Sequence, residues 1–167
     1  MRKKALLLSA LFCATLCACS HQVRNTEVET VASGETGSAS SADIELTTAG
    51  VPPSVAGCSC LLAENAAQYR DQQFLYAEKY GSPPPEKDFA FIFIDGEPVR
   101  LTVQDVRIDD EARTLKKVYA SDDYRVTVDL QAIQRPDHEV WVQTGTLTVE
   151  TGRGTTVTKD VYGVCGC

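Results

Sequence analysis

The chain reads as a mainly β (α+β) protein: an antiparallel sheet, sandwich or open barrel with one N-terminal helix. Three observations predict this. From Phe89 onward, short runs of β-branched and aromatic residues alternate with polar ones and are separated by turn signals. Before Phe89 there is one helix-like stretch. The folded part, about Val51 to Cys167, is long enough for one core and too short for two.

Each element has its own grounds. Leu61 to Tyr80 sets Ala66, Ala67, Tyr69, Phe74 and Ala77 among Glu, Gln and Arg, consistent with an amphipathic helix. Its end is ambiguous, because Gln73 to Tyr76 could instead start a strand. Ser82-Pro83-Pro84-Pro85 forces a stiff extended connection. Phe89 to Ile94 is apolar on both faces and reads as a buried strand. Asp95-Gly96 is a hairpin signal, since a type I′ turn needs positive φ at both central residues. Val99 to Val103 alternates on the return, with Pro98 at its start, where a missing donor does little harm. Tyr124 to Ile133 alternates again, with Val126, Val128 and Leu130 on one face. Val140 to Val142, Thr146 to Val149 and, after Gly152-Arg153-Gly154, Thr155 to Tyr162 complete a set of about six strands.

Upstream, Arg2, Lys3 and Lys4 precede an apolar run, Ala5 to Leu16, too short for a span of about 20 residues. The following Leu16-Cys17-Ala18-Cys19 resembles the lipobox of bacterial lipoproteins. That resemblance implies a signal peptide over residues 1–18, cleavage before Cys19, and a diacylglycerol thioether on the Cys19 sulfur. Cys17 stands where Ala, Ser, Thr or Val is more usual. Ser20, rather than Asp, after the lipidated cysteine is what lipoprotein sorting rules associate with the outer membrane of diderm bacteria, periplasmic side. Residues 19–50 then read as a lipidated flexible tether, rich in Ser, Thr, Ala, Gly and Glu. About 30 residues give a typical reach of roughly 30 Å. The alternative for its end is a strand built from Ile44-Glu45-Leu46-Thr47. Residues 51–167 form the compact β-rich domain.

Charge narrows the partners. Loss of Arg2, Lys3 and Lys4 with the signal takes the formal charge of −7 to about −10. So acidic a chain, without a basic block, is not expected to bind nucleic acid. It also lacks a polybasic patch for anionic lipid, so membrane attachment rests on the acyl chains at Cys19. An envelope protein or a small ligand is the remaining kind of partner. No cofactor is expected.

Of the seven cysteines, Cys58, Cys60, Cys165 and Cys167 lie in the domain, as a C-x-C pair at each end. In an extended strand, i and i+2 lie about 6.5–7 Å apart, at or beyond bridging distance. Disulfides between the two segments are therefore favoured in an oxidising compartment. Antiparallel pairing joins Cys58 to Cys167 and Cys60 to Cys165; parallel pairing joins Cys58 to Cys165 and Cys60 to Cys167. The alternative is a metal site in which these four thiolates hold zinc or Cu(I). Structural zinc more often uses C-x2-C, and the C-x-x-C of redox enzymes is missing.

Other chemistry is sparse. Of two histidines, His21 lies in the tether and His138 in a loop beside Asp137, with no G-x-S-x-G elbow to serve it. Asp109-Asp110-Glu111 and Asp122-Asp123 lack calcium-loop spacing and read as solvated turns. Phe74, Tyr76, Phe89, Phe91, Phe93 and Trp141 read as core, whereas an exposed Trp141 beside Gln143 would point to binding. An enzyme would need a cleft with convergent carboxylates.

Two further resemblances cover the domain. CSCLLAENAAQYRDQQFLYAEKYG, FAFIFIDGEPVRL and the terminal VYGVCGC resemble a group of small, uncharacterised bacterial proteins with a CSC segment, a strand ending in a DG or NG turn, and a YGxCGC end. That implies a whole domain from Gly57 to Cys167, with no activity attached. In size and location the chain also resembles the lysozyme-inhibitor lipoproteins, although a Ser-Gly-x-Lys/Arg-Tyr motif is absent. The expectation is a non-enzymatic binding or envelope-structural module, with cysteine-dependent metal binding as the alternative.

Overall fold

A computed structural model describes residues 44–81 and 88–167, all within one compact unit, Ala39–Cys167. The signal sequence, Cys19, most of the tether and the Ser82–Pro85 connection lie outside the described residues. Among those described, no helix is long and apolar enough to cross a membrane.

Eight antiparallel strands close into a barrel in which each pairs with its chain neighbours and the last pairs with the first. They are β1 (Ser59–Ala63), β2 (Tyr76–Lys79), β3 (Phe89–Ile94), β4 (Glu97–Asp109), β5 (Thr114–Ala120), β6 (Tyr124–Asp137), β7 (Val140–Thr151) and β8 (Thr156–Gly166). The mainly β reading holds, but the sheet is neither a sandwich nor an open barrel. Closure leaves no free edge and removes the template for intermolecular pairing.

The expected N-terminal helix is corrected. Only Ala66–Arg70 is helical (α1), started by Asn65, whose Oδ1 accepts from the amides of Ala67 (3.0 Å) and Gln68 (3.1 Å). It stops at Gln72, which takes a left-handed φ of 57°. The flanks of the helix-like stretch are β1 and β2. β1 is hydrogen-bonded on both sides, to β2 and β8, which outweighs the weak helical preference of an isolated turn.

Several strand readings stand. Asp95 and Gly96 have φ of 52° and 85° and join β3 to β4 in register Ile94↔Glu97. Val126, Val128 and Leu130 all face the core. The two runs around Thr144 are one strand, β7.

Interior positions differ between the two ends of the barrel. Near the end carrying the Asp95–Gly96 turn, Leu62, Leu75, Tyr76, Ile92, Leu101, Leu147 and Val149 fill the interior. Leu46 adds a plug there: it bridges to Ile94, and the Thr47 amide donates to the Phe93 carbonyl at 2.9 Å. Ile44 to Gly50, counted with the tether in the sequence reading, thus packs on the barrel and closes this end. The opposite end is framed by the β4–β5 and β6–β7 turns and both disulfides, and it is hollow.

Two glycines let the wall close. A Cβ at Gly163 would sit 2.0 Å from the Leu61 carbonyl oxygen, and one at Gly145 at 2.0 Å from that of Asp129. No larger residue fits where neighbouring strands approach so closely.

Candidate functional site

The hollow end holds a cavity of about 700 Å³, within the usual range for small-molecule sites of about 300–1,000 Å³. Register and two β-bulges build it. Between β4 and β5 the pairing shifts from Val103↔Tyr119 to Asp105↔Val118, so that Gln104 is extra. Inward positions on β4 therefore switch from Val99, Leu101 and Val103 to Val106 and Ile108. These two lie opposite inward-facing Lys117 and Leu115. They are nonetheless 43% and 66% exposed, because the space they face is open. A second shift, between Ala132 and Gln134, leaves Ile133 as the extra residue at the rim, where it is 54% exposed.

On the other side, Trp141 and Gln143 of β7 line the cavity with Cys60 of β1 and Cys165 of β8. Tyr80, Gly81 and Asp88 complete the wall. Trp141 is half-buried and Gln143 buried. The Arg135 guanidinium stacks over the Trp141 ring, 4.5 Å from its centroid.

A buried polar cluster forms the floor. Glu78 on β2 is 1% exposed and points into the barrel. Its Oε1 pairs with the Lys117 ammonium and accepts from the Tyr119 hydroxyl at 2.7 Å; its Oε2 accepts from the Tyr76 hydroxyl at 3.1 Å. The Lys117 ammonium also lies over the Tyr80 ring, 4.7 Å from the centroid. Every buried side-chain polar atom among the described residues has a partner. Burial, and then the Glu78 charge, raises the Tyr76 and Tyr119 hydroxyls well above their ordinary pKa. Burial, then Glu78 and Asp88, pushes Tyr80 up to about 12. Asp88 is itself raised by burial, against the opposing pull of Lys117.

Comparison with family models, curated proteins and solved structures gave no match to this chain. The cavity and its chemistry are therefore the basis for function.

The cysteines take the antiparallel pairing. Cys58 is bonded to Cys167, and Cys60 to Cys165, its direct partner in the β1–β8 register. All four sulfurs are thereby taken up in two disulfides, and a metal site would require their reduction. Both bridges staple the seam where the barrel closes, at the mouth, and Cys60, Cys165 and Cys167 form part of the cavity wall.

Other sequence candidates separate. His138 lies exposed in the β6–β7 turn, where its carbonyl accepts from Arg135 at 3.1 Å and its amide donates to Asp137. Asp109 Oδ1 accepts from the Ala112 amide at 2.8 Å, as a turn residue does. Among the described residues, no group of three or more His, Cys, Asp or Glu is placed to hold a metal ion. Phe74, Tyr76 and Phe93 are buried. Phe89 and Phe91 instead pack edge-to-face, with Arg100 over Phe89.

Sequence reasoning missed Glu78, Lys117, Tyr119, Tyr80 and Asp88. The spacing Tyr76-x-Glu78-x-Tyr80 puts three residues on one face of a strand, and Lys117-x-Tyr119 puts two there. Without the barrel register, that face reads as solvated.

Proposed function

We propose that this protein is a non-enzymatic binding module that holds a small, largely apolar ligand in the open end of its barrel. We further propose that it is anchored by lipid on Cys19 at the periplasmic side of the outer membrane. The observation that carries the binding reading is the cavity of about 700 Å³, walled by Val106, Ile108, Leu115 and Trp141 over a polar floor. An eight-stranded barrel has room either for packed side chains or for one small ligand; here one end is packed and the other is open. Apolar walls with a few fixed polar groups are the usual make-up of a ligand site.

The rim carries carboxylates from Asp88, Asp109, Asp110 and Glu139, the feature an enzyme would need. Asp109 is engaged in its turn, and Asp110 and Glu139 are exposed on separate turns. Binding therefore accounts for the site better than catalysis.

Trp141, the single tryptophan of the chain, is a built-in reporter. Residues 20–167 include every described element and are the form to titrate, exported and purified without reductant. Dodecanol, a neutral apolar probe, is expected to shift and quench Trp141 emission saturably. An unchanged emission, with no small molecule retained in the native mass, would overturn the reading. The anchor is tested separately: Cys19→Ser in the full chain should abolish incorporation of labelled palmitate, and continued labelling would refute it.

A further inference from the structure

We infer that the barrel mouth selects amphipathic cations, molecules with an apolar body and a protonated amine or quaternary ammonium head. This rests on the reading of the cavity as a ligand site and adds the charge of the ligand. Three observations carry it. First, Lys117, the one buried cation among the described residues, is already engaged. Its ammonium pairs with Glu78 and lies over the Tyr80 ring, with the Asp88 carboxylate close enough to feel its charge. A carboxylate or phosphate head arriving at the floor would meet an ammonium already paired with Glu78, with the Asp88 carboxylate beside it. Burying the charge of that head unpaired is costly.

Second, among the described residues that line the cavity, the rim bears Asp88, Asp109, Asp110 and Glu139 against one cation besides Lys117, the exposed Arg113, with Arg135 held outside over the Trp141 ring. In a concave site with low-dielectric walls, such an excess focuses a negative potential that concentrates cations. The chain as a whole carries −7, so the surrounding field has the same sign. Third, the apolar part of the cavity runs outward from Val106, level with Lys117, to Ile108 and Leu115, which pair with one another nearer the rim. A ligand can thus lay its chain inward along β4 and β5 while its head stays among the rim carboxylates.

The test compares three probes that share one alkyl chain: dodecyltrimethylammonium, dodecanol and dodecanoate, each below its micelle concentration. Each is titrated into residues 20–167 with both disulfides intact, by calorimetry and Trp141 emission. Dodecyltrimethylammonium is expected to bind about ten-fold or more tightly than dodecanoate, with the gap shrinking at high NaCl. Asp88→Asn combined with Glu139→Gln should cut that preference several-fold, read as the ratio of dodecyltrimethylammonium to dodecanoate affinity within each protein. Neither side chain makes a described structural contact beyond the Gly81 amide to Asp88, which Asn can still accept. Equal or tighter binding of dodecanoate, or a preference unmoved by the double variant, would overturn the charge inference alone. If dodecanol also fails to bind, the cavity reading itself falls.

Discussion

Replacing Glu78 is the sharpest probe of how the barrel is held. Glu78→Leu removes one carboxylate and strands three groups at once: the Lys117 ammonium and the hydroxyls of Tyr76 and Tyr119. Breaking a buried ion pair by deleting one partner costs about 3–5 kcal/mol. Each buried hydroxyl left without an acceptor adds roughly 1–3 kcal/mol if nothing replaces it. Lys117 borders the cavity, so water can reach its ammonium and relieve part of that cost. A net loss of about 4 kcal/mol is expected, a large share of the roughly 5–15 kcal/mol that stabilises an ordinary domain.

The control is Glu78→Leu combined with Lys117→Met, which removes both charges and leaves only the hydroxyls short of an acceptor. It should be more stable than Glu78→Leu alone, with a coupling of about 2 kcal/mol or more in the double-mutant cycle. Urea unfolding followed by far-ultraviolet circular dichroism measures all four species, with an unchanged m-value confirming that only stability moved. A Glu78→Leu cost under about 1 kcal/mol, or strict additivity of the two changes, would mean that Glu78 and Lys117 are not joined in the folded protein.

Three further outcomes follow from the same geometry. Tyr76, Tyr80 and Tyr119 are all raised in the folded state, by burial first, so above pH ~10 the unfolded chain loses protons first and stability falls as pH rises. Each fully buried tyrosine contributes about 1.4 kcal/mol per pH unit there, and urea midpoints that stay flat from pH ~9 to ~11.5 would refute the shared burial. Gly163→Ala should cost about 3 kcal/mol or prevent folding, since its Cβ would strike the Leu61 carbonyl oxygen and the Leu62 side chain; Gly50→Ala, with nothing within 4 Å, should leave the melting temperature unchanged. Removing one disulfide should cost much less than half of the roughly 4–5 kcal/mol lost with both, because the two close nearly the same loop, 109 and 105 residues apart; additive losses on thermal melting would contradict this.

What could be read from the chain was local. Period-two alternation from Val126 to Leu130, the positive-φ requirement of Asp95-Gly96 and the antiparallel option for the C-x-C pairs all depend on neighbouring residues. β1 and β2 were hidden for the opposite reason. They are five and four residues long, they flank a capped helical turn, and only their long-range partners make them strands. The site was hidden by the same non-locality. Glu78 and Lys117 are 39 positions apart, and each is unremarkable until register turns both inward. Val106 and Ile108 would point out of the barrel were it not for the extra residue at Gln104.

The two ends of the barrel explain why the cysteines matter to the cavity without acting as its ligands. Interior positions at the closed end carry Leu62, Tyr76, Ile92, Leu101 and Leu147, which fill the width available to eight strands. At the mouth the inward positions of β1, β6 and β8 hold only Cys60, Ala132 and Cys165, too small to fill the width left between them and Val106, Ile108 and Leu115. A barrel with small inward residues on β1 and β8 at one end loses packing where its first and last strands must stay joined. The two disulfides supply that join, Cys60–Cys165 within the wall and Cys58–Cys167 at its outer edge, with Cys167 still lining the cavity. Gly163 serves the same seam, since a Cβ there would strike the Leu61 carbonyl oxygen of β1, while Gly166 lets the other side of β8 approach Glu139 and Val140. The terminal Tyr-Gly-Val-Cys-Gly-Cys is thus the closure of a barrel kept hollow, a geometric requirement that a metal site would not impose.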